Sequence, residues 1–186
     1  MRLVAVPGVF RPISDTWLLA AALDREPLPP GAQVLDLCSG SGALAVRAAL
    51  GGRCEVTAVD VSRRAVAAIR LNAALNGVRV RARRGDLMTA VGDEWFDAIV
   101  SNPPYVPASS DMLPARGPER AWDAGRDGRL VLDRICSAVP EHLRPGGVAL
   151  LVHSSLLGVE RTLEALRAGG LEVSVAASER GALGRS

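Results

Sequence analysis

Aromatic side chains are scarce in this chain of 186 residues, where Phe, Trp and Tyr together make up 3%. The core therefore has to be built from Ala, Val and Leu, and an aromatic residue away from it invites a functional explanation. The only cysteines, Cys38, Cys54 and Cys136, stand far apart without a C-x-x-C pair. Their spacing indicates a reducing compartment, with the cytoplasm as the expected location, and predicts no zinc site.

Lysine is absent from the sequence, so all 22 basic residues are arginine, against 20 acidic residues. So complete a replacement is typical of a coding bias, and a net charge of +2 indicates no polyanionic partner. No apolar run approaches the roughly 18 residues of a membrane span. We therefore expect one soluble domain that folds without disulfides or structural metals and binds neither a membrane nor, stably, a nucleic acid.

Short apolar runs alternate with helical patterns along most of the chain. Strands are predicted over 33–37, 55–60, 78–83, 96–101, 147–153 and 171–176, and helices over 15–23, 43–50, 62–75, 128–143 and 155–168. Ser62 is the expected N-cap of the third helix. This alternation predicts an α/β fold with a mostly parallel sheet and helices on both faces.

A glycine-rich turn over residues 38–42, C-S-G-S-G, follows the first predicted strand of the sheet and opens a helix. Gly40 and Gly42 would let a ligand approach the backbone at the carboxyl edge of the sheet, where such sheets bind nucleotides. Asp60 ends the next strand about 20 residues later, where its carboxylate can accept hydrogen bonds from ribose hydroxyls. The pattern predicts a cofactor that carries a nucleoside.

Two cofactors compete for this turn. Gly40, Gly42 and Ala45 satisfy the G-x-G-x-x-A spacing of a nicotinamide dinucleotide site. Asp36 would repel its pyrophosphate, but would attract the ammonium and sulfonium groups of S-adenosylmethionine. Asp86, after the third strand, can accept a hydrogen bond from the adenine amino group. We expect S-adenosylmethionine, with S-adenosylhomocysteine as product, while local backbone capping stays open as an alternative role for each acid.

The fourth predicted strand runs directly into the loop Asn102-Pro103-Pro104-Tyr105. Two consecutive prolines fix φ and remove two N–H groups, which leaves a stiff loop with exposed carbonyls. If a planar NH₂ group docks there, the Asn102 side-chain oxygen and the Pro103 carbonyl each accept one of its hydrogens, while Tyr105 stacks on its face. The nitrogen lone pair then points at an S-methyl group, and alignment alone can supply about 7–11 kcal/mol. We predict Asn102, Pro103 and Tyr105 as catalytic residues.

With these residues the chain resembles the class I S-adenosylmethionine-dependent methyltransferases, and within them the HemK family, which methylates a glutamine side chain in translation release factors. The N-P-P-Y motif alone is shared with enzymes that methylate the exocyclic amine of adenine in DNA or RNA. Residues 10–16, F-R-P-I-S-D-T, are similar to the family's Y-x-P-x-E-D-T segment, and residues 121–128, A-W-D-A-G-R-D-G, to its A-W-x-G-G-x-x-G loop. The resemblance implies a protein-glutamine N5-methyltransferase.

The resemblance also implies a Rossmann-like fold of the short branch, which lacks the N-terminal helical domain. Nothing after Ala176 has strand character, so the family's last, antiparallel strand is expected to be missing. We divide the chain into an N-terminal segment, 1–30, whose helix covers the cofactor site, a methyltransferase domain, 31–177, and a loose tail, 178–186. Thr16 is placed near the methionine end of the cofactor. The candidate cofactor residues are Thr16, Asp36, Cys38, Gly40, Gly42, Asp60, Val61, Asp86, Leu87 and Asn102.

Departures from the family pattern are Ser14 in place of an acid, Cys38 in place of the first glycine of the turn, and Ala124 in place of a loop glycine.

The expected partner is a protein substrate such as a release factor. In the short branch a small zinc-binding subunit can pair with the sheet near the third strand, which here reads V-R-V-R-A-R over 78–83. Charged edge strands discourage pairing, so we predict no obligate partner of that kind. A nucleic-acid amino-methyltransferase and a non-catalytic cofactor-binding module stay open as alternatives. The arginines that favour the nucleic-acid enzyme are Arg63, Arg64, Arg70, Arg79, Arg81, Arg83 and Arg84.

Overall fold

Runs of buried aliphatic residues form a parallel sheet with helices on both faces. The computed structural model describes residues 1–114 and 117–179. Its strands are β1 (Ala32–Leu37), β2 (Cys54–Asp60), β3 (Val80–Arg84), β4 (Phe96–Ser101) and β5 (Leu143–Leu151). Its α-helices are α1 (Ser14–Leu23), α2 (Ala43–Ala49), α3 (Arg63–Leu75), α4 (Leu130–His142) and α5 (Val159–Ala168). The predicted α/β class is confirmed.

The strand order is β3-β2-β1-β4-β5, and every neighbouring pair is parallel. β1 lies between β2 and β4, so the chain builds the sheet outward in one direction and then in the other. Loops that leave the carboxyl ends of β1 and β4 therefore turn to opposite faces and open a crevice between them. Ligands of open α/β sheets bind in this kind of crevice.

Side chains of β1 alternate between the two apolar layers. Val34 packs in a cluster with Leu19 of α1 and Leu44 of α2, and Leu35 packs in a second cluster with Ile135 of α4. Because both faces are covered, the central strands have to be apolar at nearly every position. β1 nevertheless contains the polar residues Gln33 and Asp36, and Asp36 is fully buried.

The predicted strand over 171–176 is wrong, because these residues form no strand in the structure. The alternation of Leu171 and Val173 reflects side-chain burial, since both pack against the apolar clusters beside α4. A strand also needs a backbone partner, and the described residues pair none with this segment. Of the predicted tail, 178–186, only residues 178 and 179 are described, and the rest lies outside the described residues.

Most other elements differ from the predictions by one or two residues at an end, and two differ by more. β5 begins at Leu143 and not at Gly147 as predicted, and Leu143 pairs with Phe96 before an irregularity in the ladder. The predicted helix over 155–168 is divided at Gly158, whose φ of +80° breaks the helical path. No helix within residues 1–114 and 117–179 is long and apolar enough to cross a bilayer.

Candidate active site

A cavity of about 340 Å³ opens at the carboxyl edge of the sheet. Each strand from β1 to β4 delivers residues to its wall through the loop that follows it. Most of the predicted cofactor residues meet here although they lie far apart in the sequence. The wall includes Cys38, Gly40, Asp60, Val61, Asp86, Leu87 and Asn102.

A small recess shares Cys38 and Asn102 with the cavity and is also lined by Thr16 and Asp36. Gly42, Pro103 and Tyr105 line neither space. Gly42 has a φ of +82°, and a Cβ there would lie 3.1 Å from the Cα of Ile69. The close approach of α3 therefore accounts for glycine at position 42, and its cofactor contact stays a prediction.

Asp60 fastens the glycine turn to the end of β2. Its carboxylate accepts hydrogen bonds from the Gly40 N–H at 2.9 Å and from the Ser62 N–H at 2.8 Å. The capping role that the sequence left open for Asp60 is therefore present. A carboxylate oxygen has two lone pairs, so the predicted ribose contact is compatible with these bonds and stays a prediction.

Cys38 adopts a φ of +56°, in the left-handed region. A residue with a Cβ pays about 1–2 kcal/mol for this backbone, which explains why the family has glycine at this position. Burial raises the pKa of the Cys38 thiol, and the negative charges of Asp60 and Asp36 raise it further. The thiol is therefore neutral and poorly nucleophilic at physiological pH.

Asp36 carries an unpaired acceptor inside the protein. One carboxylate oxygen accepts hydrogen bonds from the Ser39 hydroxyl and from the Ala45 N–H at 3.1 Å, whereas Oδ1 has no partner within the described residues. Burial raises the pKa of Asp36 to about 7, opposed by those two hydrogen bonds and assisted by the charge of Asp60. An unpaired buried acceptor is costly, and a cation in the recess would satisfy it. The residues therefore fit a cofactor that carries an ammonium group.

Asp86 is held by an ion pair that sequence reasoning missed. Its carboxylate accepts a hydrogen bond from Arg134 of α4 at 2.6 Å, and both side chains are about half exposed. Arg134 and Val131 lie one helical turn apart on α4 and both line the cavity. Their spacing in a predicted helix was visible in the sequence, but nothing there indicated which face of the helix meets Asp86.

Asn102 is fastened to the start of α1. Its Nδ2 donates a hydrogen bond to Thr16 Oγ1 at 3.2 Å, and the same oxygen accepts the Ile13 N–H at 3.4 Å. Thr16 is buried, with 4% of its surface exposed. With Nδ2 bound to Thr16, the Asn102 carbonyl oxygen is directed elsewhere and can accept a hydrogen bond from a substrate.

Tyr105 makes a second link to α1, because its hydroxyl donates a hydrogen bond to Asp15. Burial raises the pKa of Tyr105, and the bond to the Asp15 carboxylate raises it further. The ring packs against the apolar cluster between α4 and α5, which contains Leu132 and Leu157. The structure thus places this ring away from the cavity wall, and its stacking on a substrate stays a prediction.

The 121–128 segment supports the N-P-P-Y loop from behind. Val106 exchanges backbone hydrogen bonds with Trp122 and Ala124, at 2.8 and 3.0 Å. Gly128 has a φ of +72°, and a Cβ there would lie 2.7 Å from the Tyr105 carbonyl oxygen. The 121–128 segment therefore packs closely against the N-P-P-Y loop and supports it.

Residues before α1 form a part of the cavity wall that was not predicted from the sequence. Gly8, Val9 and Phe10 line the cavity. The Phe10 ring packs edge-on against Trp122, with 5.0 Å between the ring centroids. A Cβ on Gly40 would lie 3.2 Å from the Phe10 Cβ, so the glycine turn and this segment are in close contact.

Comparisons with known proteins show the family of the chain. Residues 1–114 match the family model described as Methyltransferase small domain. A Methanocaldococcus jannaschii protein, provisionally named a protein N5-glutamine methyltransferase, is 33% identical over 177 residues, covering 95% of this chain and 88% of the relative. The release factor glutamine methyltransferase of Deinococcus radiodurans is 36% identical over 199 residues, covering 91% and 71%. The chain spans about half, 52%, of the Geobacter sulfurreducens release factor glutamine methyltransferase, to which it is 39% identical over 77% of its own length.

Solved structures share the same architecture. The E. cuniculi complex responsible for methylation of the translation termination factor eRF1 includes a chain with TM-score 0.63 and 28% identity, covering 88% of this chain and 85% of that one. A T. thermophilus 16S rRNA methyltransferase in complex with AdoMet and guanosine gives a TM-score of 0.68 and 29% identity, covering 86% and 40%. Together, the motifs, the site geometry and the family match show that the chain belongs to the HemK family of class I methyltransferases.

Proposed function

We propose that this protein transfers a methyl group from S-adenosylmethionine to the side-chain nitrogen of a glutamine in a translation release factor. The observation that carries the proposal is the Asn102 amide, which lines the cavity and donates its Nδ2 to Thr16, so that its oxygen is left to accept a hydrogen bond from a substrate. A glutamine side chain ends in the planar NH₂ group that this acceptor suits. The relatives named as glutamine methyltransferases support the same substrate class.

The candidate cofactor residues would each bind a different part of S-adenosylmethionine. The unpaired Asp36 oxygen would hold the ammonium group, Asp60 the ribose hydroxyls and Asp86 the adenine amino group. When bound, S-adenosylmethionine supplies a methyl group on a positively charged sulfur. The solved relative in complex with AdoMet supports this choice of cofactor.

The substrate nitrogen is positioned by the N-P-P-Y loop. Asn102 Oδ1 and the Pro103 carbonyl accept the two hydrogens of the glutamine amide, which keeps the nitrogen lone pair out of conjugation and free to attack. As the new N–C bond forms, the sulfur–carbon bond of the donor would break to leave S-adenosylhomocysteine, and the nitrogen would release one proton to water. Orientation of this kind supplies most of the rate enhancement, so the site needs no paired acid and base.

The nucleic-acid alternative loses support from the way the arginines are used. Five of the seven candidates are engaged by this chain: Arg81 and Arg83 pair with carboxylates, and Arg64, Arg70 and Arg84 donate to backbone carbonyls. Few of these arginines are therefore left to form a basic surface that binds the phosphates of a nucleic acid.

The test is transfer of a labelled methyl group to a release factor by the full chain. The expected result is labelling that disappears when asparagine replaces the glutamine of the substrate's Gly-Gly-Gln sequence. Asn102→Ala should lower the rate at least about 100-fold, because the substrate amide loses its orientation. Gln33→Ala, which removes an amide at the opposite edge of the sheet, is the matched control and should leave the rate unchanged. Labelling of RNA or DNA instead of the protein would contradict the proposal.

A further inference from the structure

The segment before α1 is tied along α3 by two asparagines. We call residues 2–10 the strap. The Arg2 N–H donates to Asn76 Oδ1 at 2.8 Å, and Asn76 Nδ2 donates to the Arg2 carbonyl at 2.6 Å. In the same way the Val4 N–H donates to Asn72 Oδ1 at 2.8 Å, and Asn72 Nδ2 donates to the Val4 carbonyl at 3.3 Å. Each side-chain amide thus accepts the N–H and donates to the C=O of one strap residue, as the backbone of a neighbouring β-strand would.

The strap runs antiparallel to α3 and is matched to it in length. Arg64 donates a hydrogen bond to the Pro7 carbonyl at 3.5 Å, which adds a third tie toward the start of the helix. From residue 64 to 76 a helix rises about 18 Å, and from residue 2 to 7 an extended chain spans about 17 Å. The strap therefore stays in register with the helix and delivers Gly8–Phe10 to the cavity wall.

Asn72 differs from the other two ties because it also holds the glycine turn. Its Nδ2 donates to the Ser41 carbonyl at 2.8 Å, and the side chain is completely buried. One amide thereby fixes the strap, which carries one part of the cavity wall, and the turn, which carries Gly40. Asn72 does not itself line the cavity.

We propose that Asn72 is a positioning residue for the cofactor: it sets the distance between the strap and the glycine turn, and so controls how tightly the cavity closes on the S-adenosyl group. This inference rests on the cofactor named in the proposed function. It requires cofactor affinity to depend on a residue that does not line the cavity.

The cleanest test acts on the strap and leaves α3 intact. Val4→Pro removes the N–H that Asn72 accepts, and Val4→Ala keeps that N–H while shortening the same half-exposed side chain. Binding of S-adenosylhomocysteine to the full chain is measured by titration calorimetry. We expect the dissociation constant of Val4→Pro to be at least fivefold weaker than that of Val4→Ala. A difference of less than fivefold overturns the proposal.

A second test changes Asn72 itself and separates positioning from stability. Asn72→Leu should raise the KM for S-adenosylmethionine at least fivefold and leave kcat at saturating cofactor within twofold. Val139→Ala, which weakens the core beside α4, is the control for lost stability and should leave cofactor affinity within twofold. The proposal fails if Asn72→Leu lowers kcat without changing KM, or if Val139→Ala weakens affinity as much at a similar loss in Tm.

The outcomes separate this inference from the proposed function. If the unaltered chain does not bind S-adenosylhomocysteine, the cofactor assignment fails and the inference falls with it. If the unaltered chain binds S-adenosylhomocysteine, and Val4→Pro and Val4→Ala have the same dissociation constant, only the inference fails. If Asn72→Leu does not fold, the comparison of Val4→Pro with Val4→Ala decides the question alone.

Discussion

The hydroxyl of Thr16 is expected to set the orientation of the Asn102 amide, and Thr16→Val removes this hydroxyl while keeping the branched shape of the side chain. In the structure Oγ1 accepts the Asn102 Nδ2 at 3.2 Å and the Ile13 N–H at 3.4 Å. Because Thr16 is only 4% exposed, water is a poor replacement. A buried donor without a partner costs about 1–3 kcal/mol. Asn102 is partly exposed at the cavity, so the lower half of that range applies.

A cost of about 1.4 kcal/mol corresponds to a tenfold change, so Thr16→Val should lower kcat about tenfold. Thr16→Ser keeps the acceptor and should stay within about threefold of the unaltered chain. The assay is single-turnover methyl transfer to the protein substrate at saturating cofactor, with Tm measured beside it. An unchanged rate in Thr16→Val, or an equal loss in both variants, would refute the argument that the hydroxyl orients the amide.

Three further predictions follow from buried or strained groups. Burial raises the pKa of Asp36 from 3.8 to about 7, so its contribution to the free energy of unfolding is fully present below pH 4 and is lost as the pH rises to 7. In urea unfolding, the free energy of unfolding should fall less between pH 4 and pH 7 in Asp36→Asn than in the unaltered chain. An equal fall in both would contradict the raised pKa of Asp36. Arg129→Met removes a buried guanidinium that bonds Asp133, Thr162 and the Leu157 carbonyl, and should lower the free energy of unfolding by about 3 kcal/mol or more, whereas a loss below about 1 kcal/mol is inconsistent with this network. Cys38→Gly relieves a left-handed backbone and should raise the free energy of unfolding by about 0.5–1 kcal/mol, so a decrease in thermal denaturation experiments would contradict the strain.

The central elements of the fold follow from local patterns. The predicted strand over 96–101 has the bounds of β4, because all its residues except Asp97 are buried and the apolar run ends at the turn. Ser62 caps α3 as expected, since its hydroxyl accepts the Ala65 N–H. Both features depend on residues close in sequence, which periodicity and capping rules describe well.

Features that depend on distant partners were not predictable in the same way. The pairing of Asp86 with Arg134 joins residues 48 positions apart, and the ties of Asn72 to Val4 span 68 positions. The sequence gives Asn72 only as a polar residue within a helical pattern. The motif spacing likewise did not show that Gly42 packs against the backbone of α3.

The segment over 171–176 shows a limit of alternation as a signal. Leu171 and Val173 are partly buried as a strand pattern predicts, but the segment follows α5 with the Leu171 N–H bonded back to the Leu166 carbonyl. Side-chain periodicity reports burial, whereas a strand also requires a neighbouring backbone in register.

In the proposed reaction the oriented Asn102 amide presents a glutamine nitrogen to the methyl donor. The most direct test is tandem mass spectrometry of a release factor after reaction with the full chain and S-adenosylmethionine. We predict one added methyl group, located on the side-chain nitrogen of the glutamine in the Gly-Gly-Gln sequence. A methyl group on any other residue, or an unmodified glutamine in a reaction that consumes cofactor, would contradict the account.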